Sequence, residues 1–192
     1  MKIVVLTAPS GAGKTSIAKR LLKAFPSMRF SVSATTRRPR RMERDGVDYF
    51  FLTNEAFRKR VANGDFVEFE EVYPGLLYGT LHSELEKATA DAPVLLDIDV
   101  HGANRVKQTF GDAVLAIYVK PPSIDVLLRR LKSRATDSAE DLAKREARFR
   151  LETEFENRFD HVVLNDHFET AVKETIDLVS AFLLATSDKN AG

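Results

Sequence analysis

The stretch Ala8-Pro9-Ser10-Gly11-Ala12-Gly13-Lys14-Thr15 decides the fold. It follows the apolar run Ile3-Val4-Val5-Leu6 and leads into Ser16-Ile17-Ala18-Lys19-Arg20-Leu21-Leu22, whose spacing is helical. Strand, glycine loop and helix in that order make a phosphate-binding loop. The glycines let backbone N–H groups converge on phosphate oxygens, and the helix N-terminus adds a favourable dipole. Lys14 is placed to reach the outer phosphates of a nucleotide, and the Thr15 hydroxyl to hold Mg²⁺. The strict pattern opens on glycine where this chain has Ala8. The bland alternative is a flexible turn with Lys14 merely solvated; a Lys-Thr pair at the very start of the helix favours phosphate.

Outward from the loop, three further apolar runs read as buried parallel strands: Val94–Leu96, Val114–Val119 and His161–Leu164. Each is followed by a helical pattern, which predicts an α/β fold with a parallel sheet covered by helices on both faces. The clearest helix is the last, where Val172, Ile176, Val179 and Leu183 form one stripe. A short strand over Phe30–Val32 completes the expected sheet. Two stretches break the alternation. Residues 33–83 read as a small β-rich insertion with one helix, starting after Thr53 and stopping at Asn63-Gly64. Residues 123–156 read as a helical, arginine-rich lid, with Ser138-Ala139-Glu140-Asp141 as a capping box between two helices. The core then comprises residues 1–32, 84–122 and 157–192, ending in a frayed tail from Ser187.

Composition bounds the partners. A chain of 192 residues with a net charge of +1 has no global pull toward nucleic acid or anionic membrane. Cysteine is absent, which excludes disulfides and thiolate metal sites and fits a reducing cytoplasm. The first apolar run is too short to be a signal peptide or a membrane span. The four histidines show no ligand spacing, so no metal site of purely protein origin is expected.

Four charged constellations remain. In Arg37-Arg38-Pro39-Arg40-Arg41, guanidinium forks suit a discrete phosphate monoester, but a solvated loop or a nucleic-acid patch fits composition equally well. Val94-Leu95-Leu96-Asp97-Ile98-Asp99 is a strand ending in carboxylates, with period two putting Asp97 and Asp99 on one side, near the Mg²⁺ shell of a phosphate-loop fold. Phe66-Val67-Glu68-Phe69-Glu70-Glu71-Val72 alone reads as a strand with a solvated face. The lid arginines, Arg130 and Arg134 among them, either pair with neighbouring acids or stabilise a phosphoryl group in flight.

Together these pieces resemble guanylate kinase over nearly the whole chain. The most specific segments are Ser31-Val32-Ser33-Ala34-Thr35-Thr36-Arg37-Arg38-Pro39-Arg40 and Gly46-Val47-Asp48-Tyr49-Phe50-Phe51. They are joined by Phe66-Val67-Glu68, Tyr78-Gly79-Thr80, Leu96-Asp97-Ile98-Asp99, Arg130-Leu131-Lys132-Ser133-Arg134 and Val163-Leu164-Asn165-Asp166. The chain departs from the family at Ala8 and Met42, where glycine is usual, and at Leu77, where an aromatic is usual; none of these removes a charged ligand.

The resemblance implies a P-loop kinase fold that transfers the γ-phosphoryl group of MgATP to GMP, and to dGMP. The loop Ala8, Pro9, Ser10, Gly11, Ala12, Gly13, Lys14 and Thr15 would bind ATP, with Asn165 near the adenine. Arg37, Arg40, Tyr49 and Tyr78 would hold the GMP phosphate, while Ser33, Glu68, Thr80 and Asp99 would read the guanine. Lys14, Arg130, Arg134 and Arg145 would be catalytic, and Thr15 and Asp97 would hold Mg²⁺, Asp97 through water. The partners implied are ATP and GMP, without nucleic acid or membrane. A scaffold domain of the same shape that binds phosphorylated partners is the competing reading, and intact Lys14, Thr15 and lid arginines argue against it.

Overall fold

A computed structural model describes residues 1–132, 146–147 and 149–185. Strand β1 (Ile3–Thr7) is fully buried and lies at the centre of a five-stranded parallel sheet. Its neighbours are β7 (Val94–Ile98) and β8 (Val114–Lys120); β2 (Arg29–Phe30) and β9 (His161–Leu164) form the edges, in the order β2-β7-β1-β8-β9. Alternation explains why the central strands are apolar throughout. Val4 and Leu6 enter one core with α1 (Lys14–Ala24) and the last helix, α6 (Phe168–Leu184). Ile3 and Val5 enter the other, with α4 (Val100–Phe110). Each of the central strands β7, β1 and β8 is thus covered on both faces. The expected stripe of α6 is there, with Val172 and Val179 buried and Ile176 and Leu183 packed at its border.

The insertion is a second sheet, ordered β4-β3-β6-β5, built from β3 (Ala34–Thr35), β4 (Phe50–Phe51), β5 (Phe66–Tyr73) and β6 (Leu76–Leu81). Its helix α2 (Asn54–Ala62) starts where expected, with the Thr53 hydroxyl accepting the Ala56 N–H, and the chain leaves it at Gly64 with φ of 74°. Phe57 of α2 stacks on Phe66 with ring centroids 4.4 Å apart, giving the insertion a small core of its own. A short helix, α3 (His82–Leu85), crosses the expected boundary at residues 83 and 84.

Two expectations are corrected. The strand expected over Phe30–Val32 is β2 at Arg29–Phe30. The Ser31 N–H still reaches Leu95 O, but the Val32 N–H is taken by the Glu84 carboxylate at 3.0 Å, which draws the chain out of the sheet. Asp99 is not a strand residue: β7 stops at Ile98, and Asp99 is the N-cap of α4. Its Oδ1 accepts from the N–H groups of His101 and Gly102, satisfying donors that a helix start leaves open. Of residues 123–156, expected to form a lid, α5 (Ile124–Lys132) and a helical stretch at 149–153 are described; the capping box at 138–141 and the tail from Ser187 lie outside the described residues.

Candidate active site

A cleft of about 400 Å³ opens at the C-terminal ends of β1 and β7, between the parallel sheet and the insertion. Its floor is the glycine loop. Gly11 and Gly13 both have strongly positive φ, 95° and 97°, and a Cβ on Gly13 would stand 2.3 Å from Asn165 Nδ2. That amide donates to Ala12 O at 2.6 Å, so Asn165, itself buried, braces the loop from below.

Lys14 opens α1, and its Nζ meets Asp97 Oδ1 at 2.9 Å and Ile98 O at 2.7 Å. Burial works against the Lys14 charge, but Asp97, with Asp99 and Glu152 behind it, more than offsets this and holds the ammonium pKa above its ordinary value. Thr15 donates to Asp97 Oδ2 at 2.8 Å. A hydroxyl and a carboxylate side by side are hard oxygen donors of the kind Mg²⁺ takes while keeping most of its water, so this pair fits the ion expected with ATP.

Across the cleft lie the residues expected at an acceptor phosphate: Arg37, Arg40, Tyr49 and Tyr78. The Arg37 guanidinium sits 5.3 Å from the Tyr49 ring centroid and 5.8 Å from that of Phe51. Tyr49 meets Tyr78 edge-on at 6.1 Å. Burial, with Asp97 and Tyr78 adding to it, raises the Tyr49 pKa, so its phenol keeps the proton it would donate to a phosphate oxygen.

At the far end of the cleft stand Ser33, Glu68 and Asp99. Glu68 is buried, at 5% exposure, and Thr80 faces it directly in the β5–β6 pairing. The Thr80 hydroxyl donates to Glu68 Oε1 at 2.6 Å. Thr80 thus stands behind Glu68, and the cleft wall itself does not include it. The register of β5 slips between Phe66 and Glu68. Because of that bulge, Phe66 and Phe69 both turn toward Phe57, while Val67 packs into the core beside α4 and Glu68 faces the cleft. Burial pushes the Glu68 pKa up to about 7, with Asp99 adding to it and Thr80 and Arg105 opposing.

The structure therefore brings most of the expected residues into one cleft, with Ala12, Asn165 and Thr80 supporting it from beneath. The side chain of Arg130, and all of Arg134 and Arg145, lie outside the described residues. Sequence reading missed Glu43, whose carboxylate grips Arg37, and Glu152, a buried acid on the cleft wall. An acid six residues beyond Arg37 in an otherwise basic run was a usable signal for Glu43. Glu152 lies among other lid acids, and nothing in its spacing marks it.

The family model for guanylate kinase matches residues 1–182. The chain belongs to the guanylate kinase family. It is similar to the guanylate kinase of Salinibacter ruber, 55% identical over 94% of this chain and 96% of that protein. Similarity to the guanylate kinase of Chlorobium luteolum is 49% identity over 95% and 92%. The crystal structure of guanylate kinase from Anaplasma phagocytophilum matches with a TM-score of 0.78 and 30% identity, covering 96% of this chain and 87% of that one. A P-loop kinase fold is thus common to sequence, structure and relatives. No described helix is long and apolar enough to cross a membrane.

Proposed function

We propose that the chain is an ATP:GMP phosphotransferase, moving the γ-phosphoryl group of MgATP to GMP to give ADP and GDP. The observation that carries this is a single cleft with a phosphate loop on one wall, a second cationic and phenolic site opposite it, and a buried acid beyond that second site. Guanine offers N1–H and an exocyclic 2-amino group as adjacent donors, which ionised Glu68 accepts as a fork. Adenine places a lone pair at N1 instead, and the same carboxylate repels it. A buried polar group left unpaired in this way rejects the wrong base by ~10⁴-fold.

The chemistry follows from position. The glycine loop and Lys14 hold the ATP phosphates; Arg37, Arg40, Tyr49 and Tyr78 hold the acceptor phosphate and aim one of its oxygens at the γ-phosphorus. That oxygen is already anionic, so no general base is needed. As its bond to phosphorus forms, the bond to the ADP oxygen breaks. Alignment and charge stabilisation supply the rate. Thr15 and Asp97, the latter through water, would hold Mg²⁺, which withdraws charge from the phosphate oxygens when bound. Arg130, Arg134 and Arg145 would add cations around the phosphoryl group in transit, and Asn165 would border the adenine. Residues 33–83 would form the GMP-binding part and residues 123–156 the lid. The scaffold reading is not favoured: Lys14 and Thr15 both meet Asp97, an arrangement that supports a phosphate and metal site.

A coupled ADP-release assay with MgATP tests the proposal, offering GMP, dGMP, AMP, UMP and CMP as acceptors. Turnover with GMP and dGMP only is the expected result. No ADP release with GMP would overturn it.

A further inference from the structure

Glu68 belongs to the insertion and is held there by Thr80, yet the surface its carboxylate rests on belongs to the other part of the fold. The first turn of α4 runs directly under it. A Cβ built on Gly102 would lie 2.6 Å from Glu68 Oε2 and 2.9 Å from Glu68 Cδ, closer than real side-chain carbons approach. Gly102 is buried, and it is a helical residue with no need of a left-handed backbone. Its lack of a side chain is thus not explained by conformation, and alanine is the better helix former. The space is used by the carboxylate.

Other contacts make the seat specific. The Thr80 hydroxyl fixes Oε1, leaving Oε2 as the oxygen over Gly102. The Gly102 N–H is committed to Asp99 Oδ1 at 3.0 Å, so the same residue that seats Glu68 also orients Asp99. One turn on, Arg105 of α4 donates to Phe69 O at 2.5 Å and meets Glu70 Oε2 at 3.2 Å, clamping β5 against the helix just beyond the seat.

The geometry points to Gly102 as a specificity-determining residue: the missing side chain lets the Glu68 carboxylate lie flat enough to meet both guanine donors at once. This rests on the assignment of Glu68 to guanine. Gly102 touches neither substrate and acts by positioning. A methyl group there displaces Oε2, which loses the 2-amino group of guanine, while Oε1, held by Thr80, keeps N1–H. The acceptor most sensitive to the change is the one that uses both oxygens.

Inosine monophosphate, which lacks the 2-amino group, is the probe. In the unmodified protein kcat/KM for GMP should exceed that for inosine monophosphate by about 10- to 100-fold, as expected for loss of one charged hydrogen bond. In Gly102→Ala that ratio should collapse to within a few-fold, with KM for ATP unchanged. A Gly102→Ala protein that keeps the full ratio overturns the inference, even if both acceptors are used more slowly, because a purely structural defect lowers them together. If the unmodified protein shows no preference for GMP, the assignment of Glu68 fails instead, and the two failures are distinguishable.

Thermal unfolding keeps the test decisive if Gly102→Ala folds poorly. Adding Glu68→Ala removes the obstructing carboxylate, so the double variant should recover the Tm of Glu68→Ala alone. A double variant as unstable as Gly102→Ala would show that the glycine answers to something other than Glu68.

Discussion

Glu43 takes both ends of the Arg37 guanidinium: Oε1 meets Nη2 and Oε2 meets Nη1, each at 2.9 Å. Oε2 also accepts the backbone N–H of Arg40 at 2.7 Å, and Arg37 Nη1 reaches Arg38 O at 2.8 Å. One acid thus shapes the whole Arg37–Arg40 turn. Hydrogen bonding to Arg37 holds the Glu43 pKa below the usual carboxylate value, so it stays ionised. A fork–fork pair of this kind fixes orientation as well as charge.

Glu43→Ala should therefore release Arg37 and the turn together. We predict a rise of ~10-fold or more in KM for GMP, the scale of a lost charged hydrogen bond, with KM for ATP little changed. Steady-state kinetics with each substrate varied in turn checks this; equal KM values in the variant and the parent would make Glu43 a surface acid only.

Lys14→Met keeps the stem of the side chain and removes the charge. Turnover should fall by ~10²-fold or more, as when one electrostatic donor to the transition state is lost. The protein should remain folded, since the fully buried strand β1 does not depend on the ammonium. Circular dichroism alongside the kinetics separates the two effects. Near-normal turnover in a folded variant would remove Lys14 from catalysis.

Asp97→Asn loses the partner of both Lys14 and Thr15. The Mg²⁺ concentration for half-maximal rate should rise, because an amide oxygen binds a hard cation less well than a carboxylate does. A Mg²⁺ titration at saturating ATP and GMP measures it, and an unchanged midpoint would place the ion elsewhere.

The Glu68 carboxyl has an ordinary value of 4.5 and is pushed up to about 7 in the folded protein. The folded state thus binds this proton more tightly than the unfolded one. Its stabilising contribution is complete below pH 4.5 and is lost as pH rises to about 7. On the proposed assignment only the ionised form would accept both guanine donors, so stability and recognition would run in opposite directions. We predict that kcat/KM for GMP rises with pH through about 7, and that Glu68→Gln abolishes that limb of the profile. A parental profile without the limb would contradict the assignment.

The phosphate loop, the parallel sheet and the paired acids were legible because each rests on local pattern. Ile3–Leu6 before the glycines, and Thr53 before its helix, carry their structure in neighbouring residues. What escaped depends on distant partners. Val32 leaves the sheet because Glu84, far along the chain, claims its amide. Asp99 caps a helix although period two would extend the strand through it. Glu68 faces the cleft because of a register slip against β6, which no alternation pattern within β5 announces.

The bond from the Val32 amide to Glu84 closes residues 33–83 into a ring at its base. Glu84 is buried and also paired with Lys87, so the closure sits inside the protein. The ring is joined to the rest of the fold a second time, where Val67 packs into the core beside α4 and Arg105 holds β5. A change at Val67, Glu68 or Phe69 is therefore felt by α4, which covers one face of the parallel sheet. In evolutionary terms, the line where β5 meets α4 is a seam along which the two parts have to change together.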